Sequence, residues 1–430
     1  MFIDVCMSKA RHKTRTLWLV GVLHGFTHVY HVALMPLYLL IQRDFGFASV
    51  GQATSLVTVL MLAYFVPSYG LGVLADRLDR RKLLGWGLAI NGLGFIALAF
   101  SPNYACAVAS VIVAGIGGSF YHPAATAMLA RLFPINTGRA LGLAGIGASA
   151  GFFCGPLFTG WRAGALEAAR GAAVWRVPVL ELGVAGILAA ALFAWLSEDV
   201  KAASPELPES SAPAKMFPTG ALWLWFLAAA LCFSLRDFSA GGMCSLSSLF
   251  LQQAQGYDTR FAGFALGWIF PAGVISNPLF GHLSDRGRKR WITGVLLASA
   301  MIVIAFPHLP AAWIIPALVA YGFFFNANFP MIEAELMQSV PDTVRGRVFG
   351  VFLTVGGFFG NLSHWVVGDA VKRMGDGAHQ PAGYFSFYAV LGVLILLALA
   401  GLPCLHAIRK REHLDPAESA ALRVSSSEFR

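Results

Sequence analysis

Charge is what this chain has least of. Aspartate, glutamate, lysine and arginine make up only 12% of its 430 residues, and 57% are hydrophobic. An average soluble domain carries roughly a quarter charged residues, so an ordinary water-soluble globule is excluded. Paired cysteines are missing as well. Cys6, Cys106, Cys154, Cys232, Cys244 and Cys404 stand far apart, mostly inside apolar runs. That excludes a disulfide framework or a thiolate metal cage and leaves them as small core residues. No polar stretch is long enough for a sensory or catalytic domain, and no nucleotide-binding or metal-hydrolase motif occurs. An enzyme is not expected, and no cofactor is called for. A cleavable signal is not expected either: the apolar run after Leu17 is too long for one and lacks a small-residue cleavage site.

What is present is one apolar run after another. Segments of about 20 residues, each long enough to cross a bilayer, fall near 17–41, 51–74, 83–101, 104–128, 140–160, 174–196, 219–250, 261–281, 291–308, 311–333, 346–371 and 383–407. Twelve long apolar segments predict an all-α integral membrane protein. The net charge of +9 does not point to nucleic acid, because the basic residues lie in short clusters between spans. With both termini cytoplasmic, 23 basic residues fall on the inner side and seven on the outer, with Arg236 left inside a span. That asymmetry orients the chain.

The chain also repeats itself. "GVLADRLDRRK" at 72–82 matches "GHLSDRGRKR" at 281–290, an offset of 209, and "GRALG" at 138–142 matches "GRVFG" at 346–350, an offset of 208. A duplicated half is implied. The polar stretch "SEDVKAASPELPESSAPAKMFP" separates the copies as a flexible linker. The expected organisation is a six-helix half at 1–196, a linker at 197–218, a second half at 219–408 and a cytoplasmic tail at 409–430. Duplicated six-span halves place a substrate site between them, near the midplane.

With Gly72, Asp76, Arg77, Arg80 and Arg81 in the loop after span 2, and Gly281, Asp285 and Arg286 after span 8, the chain resembles the major facilitator superfamily over essentially its whole length. Asp79 stands where the family pattern has its second glycine. An Asp–Arg pair in a tight turn suits a conformational latch, gripping helix ends in one state and releasing them in another. Span 5 resembles the superfamily's antiporter motif through Gly142, Gly151, Gly155, Pro156 and Gly160, with Thr159 at the remaining position. Small residues there permit close packing, and Pro156 permits a bend. Span 4 carries Gly115 and Gly117 but has Val111 where drug–proton antiporters usually carry arginine. Coupling through an arginine at that point is ruled out. Within the superfamily the likeness is to fosmidomycin-resistance-type exporters, through His24, His28 and Tyr30 in span 1 and Tyr121, His122, Pro123 and Ala125 in span 4, with His28 in place of an aspartate.

Ionisable side chains inside spans cost roughly 2.5–3.5 kcal/mol each and default to function. They fall unevenly: His24, His28 and His31 in span 1, His122 in span 4, Arg236 and Asp237 in span 7, Asn326, Asn328, Glu333 and Glu335 in span 10, and Asn361, His364 and Asp369 in span 11. In the superfamily, spans 1, 4, 7 and 10 line the central cavity. The three histidines of span 1 lie within about 60° of one another around a helix. Three readings stand: a proton relay and substrate site, a transition-metal site, or imidazoles bonded to neighbouring helices. Metal ranks last, because along one helix an ion reaches only two of the three. Arg236 with titratable histidines suits an anion. Its pairing with Asp237 looks awkward, since adjacent residues point about 100° apart. Gly241-Gly242 is expected to interrupt span 7.

The sequence therefore predicts a twelve-span transporter working by alternating access, exporting a small organic anion or drug in exchange for protons through His24, His28, His31, His122, Arg236, Asp237, Asn326, Asn328 and His364. Its expected partners are the substrate, protons and the lipid bilayer, with a monomer in a bacterial inner membrane. An exporter of lipid-like or cationic amphipathic compounds is the alternative, and a non-transporting membrane receptor is the rival from another class.

Overall fold

Prolines and glycines decide where the apolar runs become helices and where those helices break. The computed structural model describes residues 2–68, 70–71, 78–197, 216–341 and 344–412. Their α-helices are α1 (Phe2–Val32), α2 (Tyr38–Phe45), α3 (Val50–Phe65), α4 (Arg80–Ala99), α5 (Tyr104–Ser119), α6 (Tyr121–Leu132), α7 (Thr137–Arg170) and α8 (Arg176–Leu196). There follow α9 (Gly220–Leu249), α10 (Thr259–Gly267), α11 (Gly273–Ser284), α12 (Arg288–Ala305), α13 (Ile314–Met337), α14 (Arg345–Met374), α15 (Phe385–Leu397) and α16 (Gly401–Glu412). Nine stretches are long and apolar enough to cross a membrane, among the described residues. One of them, Thr137–Leu196, has 60 residues and contains both α7 and α8. Adding the 16-residue α3 and the α10–α11 pair gives the twelve expected crossings.

Several crossings are discontinuous, which the apolar runs alone do not reveal. Span 1 turns through a 3-10 step at Met35–Leu37, where Pro36 supplies no N–H, before continuing as α2. Span 4 breaks at Phe120, and Pro123 sits in the first turn of α6, where a missing N–H costs nothing. Span 8 breaks between α10 and α11, around Pro271. Span 7 ends in a π-helical turn at Phe250–Ala254. Interrupted helices expose backbone groups at membrane depth, and this is tolerated where they line a cavity or are buried in protein. Gly241 and Gly242, by contrast, do not interrupt α9. They are packing positions: a Cβ on Gly241 would collide with Ser363 and His364, and one on Gly242 would lie 2.8 Å from Leu391.

The helix with most to do is α7. One face lies on α1 through Gly147, Gly151 and Gly155, which meet Gly21, Gly25 and Val29, backbone against backbone. A neighbouring face crosses to the second half, where Gly160 and the Pro156 carbonyl meet Gly263 of α10. A second seam between the halves joins α3 to α14: Gly51 and Thr54 meet Gly368, and Thr58 Oγ1 donates to the Asn361 carbonyl at 3.0 Å while accepting from the Trp365 N–H at 2.9 Å. A third joins the α1–α2 step to α9: Tyr38 shares a hydrogen bond with Ser245, and Ser248 donates to the Met35 carbonyl at 2.6 Å. These contacts gather from mid-bundle to the end that holds Phe45, Arg170 and Thr259. The bundle is closed at that end, opposite the basic loops.

Because Gly151 leaves no room for a side chain, Gly151→Leu is expected to destabilise the protein by about 1–3 kcal/mol or more and to lower its thermal unfolding midpoint in detergent. Gly142, in the same motif, has open space within 4 Å of where a Cβ would stand. Gly142→Ala should hold or raise the midpoint, since alanine favours helix by about 1 kcal/mol. Equal midpoints for the two variants would refute this packing role.

Candidate functional site

The close approach of α1 to α7 brings the span 1 histidines against groups that fix them. His24 Nδ1 lies 3.0 Å from the Ala144 carbonyl. A carbonyl only accepts, so Nδ1 carries the proton and Nε2 is left with a lone pair. That Nε2 is buried without a partner among the described residues. The His24 ring stacks on Tyr121, with centroids 4.5 Å apart, and Tyr121 in turn donates to the Val20 carbonyl at 3.0 Å. His28 and His31 share a hydrogen bond between their Nδ1 atoms at 3.2 Å, so one donates and the other accepts. His31 is 4% exposed, stands perpendicular to Tyr64 at 4.4 Å and leaves its own Nε2 unpartnered among the described residues.

The span 4 break delivers the fourth imidazole. His122, at the start of α6, lies 5.2 Å from His24 and 5.8 Å from His28, centroid to centroid. It is nonetheless exposed, so one side of the cluster is open. His28 packs at 4.2 Å against Phe152, which stacks on Phe270 of the second half at 4.7 Å. Aromatic contact thus runs from the histidines across the interface. The sequence identified all four imidazoles; it held no sign of Ala144 or Phe152, whose roles depend on how helices meet.

A second polar centre lies in the second half. Arg236 is 3% exposed, and its Nε and Nη2 both donate to Asp237 Oδ1, at 2.9 and 2.7 Å. The pairing that looked awkward in the sequence does form. The long arginine side chain curls back so that two N–H groups converge on a single carboxylate oxygen, avoiding the two-oxygen fork that adjacent positions disfavour. Nη1 donates to Asn328 Oδ1 at 2.6 Å, and the guanidinium lies 4.4 Å from the centre of the Phe329 ring. The Asn328 amide donates to the Phe325 carbonyl within α13. Asp237 keeps 21% of its side chain exposed, and its Oδ2 faces Gly356 of α14.

The other two expected site residues lie elsewhere. Asn326 donates to the Ile269 carbonyl at 3.3 Å, so it serves the break between α10 and α11. His364 Nδ1 is 2.7 Å from Ser245 Oγ, which also bonds Tyr38. His364 therefore belongs to the seam between the halves.

A family model described as the Major Facilitator Superfamily matches residues 17–364. The chain belongs to that superfamily. It is thus a multi-pass membrane transporter. Relatives include the multi-drug resistance efflux pump of Streptococcus pneumoniae, 26% identical over 87% of this chain and 90% of that one. The fosmidomycin resistance protein of Escherichia coli is 22% identical over 84% and 87%. The methylenomycin A resistance protein of Bacillus subtilis is 25% identical over 76% of each. Among solved structures, a bacterial homologue of the human lysosomal transporter Spinster, inward-facing and occupied, shares the fold: TM-score 0.70 at 17% identity, covering 93% of this chain and 96% of that one.

The superfamily motifs can now be placed. Of the first loop, Gly72, Asp76 and Arg77 lie outside the described residues. Arg80 opens α4, and Asp79 caps it, accepting from the backbone N–H groups of Arg81 and Lys82 at 2.9 and 3.2 Å. An aspartate in place of the family glycine thus has a local reason: it satisfies helix-start donors. In the second loop Gly281 has open space around it, and Asp285 and Arg286 are exposed. The buried charge there is Glu335, between Arg288 at 3.8 Å and Arg409 at 3.1 Å, beside a cavity of about 590 Å³. In the span 5 motif, Gly151, Gly155, Pro156 and Gly160 all make the close contacts described above, and Thr159 donates to the Ala33 carbonyl at 2.8 Å.

Removing Asp237 leaves the Arg236 charge buried without its counterion, a change that typically costs about 3–5 kcal/mol. Asp237→Leu should therefore lower the unfolding midpoint sharply, and the double variant Arg236→Met/Asp237→Leu should recover most of the loss. Failure of the double variant to recover would show that the pair is not a coupled unit.

Proposed function

We propose that this transporter exports small organic anions with proton coupling, using Arg236 as the anchor for the anion and Asp237 as the proton-binding carboxylate. The observation that carries this reading is the pair itself: a buried guanidinium, held in place by Asn328 and Phe329, whose counterion is its own neighbour on α9. Protonation of Asp237 releases two N–H groups on Arg236, which then meet two oxygens of a substrate carboxylate or phosphonate as a fork. The efflux named for the Streptococcus pneumoniae relative supports the outward direction.

The pair also sets the sign of coupling. An anion that displaces Asp237 from Arg236 leaves a carboxylate facing apolar surroundings, which takes up a proton. Proton and anion then travel together, not in the exchange suggested by the span 5 motif. For a monovalent anion such a cycle is electroneutral, and it runs outward whenever the outward anion gradient exceeds the inward proton gradient. With the basic loops and both termini cytoplasmic and the chain in a bacterial inner membrane, the closed end is the outer one, so this conformation loads from the cytoplasm. The four histidines line the path in the first half. A monomer contains every element needed.

A second reading rests on one contrast: Asp237 is 21% exposed while Arg236 is 3% exposed. On that basis the accessible group is the carboxylate, the substrate is an amphipathic cation, and protons compete with it in true exchange.

Growth protection of an efflux-deficient host separates the two. If the anion reading holds, the wild type protects against phosphonate and carboxylate antibiotics and Arg236→Gln loses that protection tenfold or more, on the order of one charged hydrogen-bonding group. Protection confined to lipophilic cations, kept by Arg236→Gln and lost by Asp237→Asn, would replace it with the cation reading. Purified protein adds the sign: proton uptake on binding accompanies an anion, proton release a cation.

A further inference from the structure

We propose that His24, His28 and His122 form a binding site for one divalent transition-metal ion of the zinc, cobalt and nickel class. Ligand nitrogens of these three imidazoles all lie within 4.8 Å of one another. Tetrahedral coordination at the usual metal–nitrogen distance of about 2.0–2.1 Å asks each nitrogen to move inward by less than about 1 Å, within reach of ring rotation. The sequence ranked a metal last because an ion on α1 alone reaches two histidines. The break at Phe120 supplies the third from another helix.

Two further observations point to a ligand. The Ala144 carbonyl holds His24 in the tautomer with a free lone pair on Nε2, and that nitrogen is buried with no donor to accept from among the described residues. A metal-binding histidine is ordinarily oriented in this way, its second nitrogen donating to a carbonyl or carboxylate. In the tautomer in which His31 Nδ1 accepts from the His28 Nδ1–H, His28 Nε2 is left free to coordinate, so His31 serves His28 as the Ala144 carbonyl serves His24.

The donor set selects the ion. Three neutral nitrogens suit borderline cations, whereas magnesium and calcium require oxygen ligands. Three ligands leave a fourth position, and the exposed side of His122 leaves that position accessible. The ion keeps its full charge among neutral imidazoles, so the open position favours an anionic fourth ligand.

Cobalt(II) is the probe, added to the full-length protein in detergent and purified through a tag without histidines. One equivalent should bind with the visible absorption of tetrahedral cobalt and be displaced by zinc. His28→Gln and His122→Gln should each weaken binding about tenfold or more, while His308→Gln, remote from the cluster, should not. The His122 side chain is exposed and stands at the open side of the cluster, so its variant is the one expected to fold normally. As a second readout, zinc should raise the unfolding midpoint of the wild type and not of His122→Gln. Arg236→Gln should bind cobalt like the wild type, which separates this site from the anion reading. Cobalt affinity equal in wild type and His122→Gln, or binding only in the millimolar range, would overturn the proposal.

Discussion

Glycine-to-glycine contact between α1 and α7 is the constraint on which the histidine cluster and the closed end depend. Gly21 and Gly25 meet Gly147 and Gly151 at distances that no side chain would permit. Lipid supplies no hydrophobic drive between helices, so their association rests on van der Waals packing at this range and on hydrogen bonds. Because the two backbones nearly touch, the Ala144 carbonyl comes within reach of His24. The same rigid α7 carries Phe152 to His28 and, a turn further on, Pro156 and Gly160 to α10. One helix thereby ties the histidine cluster to the seam between the halves.

That connection bears on how one half can move against the other. The halves meet through small residues at three seams, α7 with α10, α3 with α14, and the α1–α2 step with α9. Glycine seams offer little side-chain interlock, so one half can rock on the other without unpacking either core. The Tyr38–Ser245–His364 chain adds a hydrogen-bonded closure at the same end. Its groups come from both halves, and opening that end must separate them.

The two polar centres differ in kind. Arg236 and Asp237 satisfy one another and Asn328, leaving a nearly neutral unit that a proton or an ion can split. The histidines are under-satisfied, with two imidazole nitrogens buried and unpartnered among the described residues. The buried lone pair on His24 Nε2 is costly to leave without a partner, and the cost falls when a proton or cation enters. The histidine cluster depends on a broken helix for its fourth member, whereas the Arg236–Asp237 pair sits on the unbroken α9 and needs only its own neighbours.

The sequence by itself determined the membrane class, the number of crossings and the two-half fold, because apolar run length, charge asymmetry and repeated motifs are local properties. It also flagged the four imidazoles and the Arg236–Asp237 dipeptide, since charge in an apolar run is visible without a fold. Only the tertiary structure decided which of these meet. His122 joins His24 and His28 because span 4 breaks at Phe120, whereas His364 and Asn326 are drawn off to a seam and to a helix break. Gly241 and Gly242 read as a hinge in the sequence and proved to be packing sites, because a glycine's role depends on what stands opposite it. The small residues of span 5 were legible as a close-packing stripe, but their partners Gly21 and Gly25 were not. Pairing between helices far apart in the chain is a property of distance and angle in space, and no local pattern encodes it.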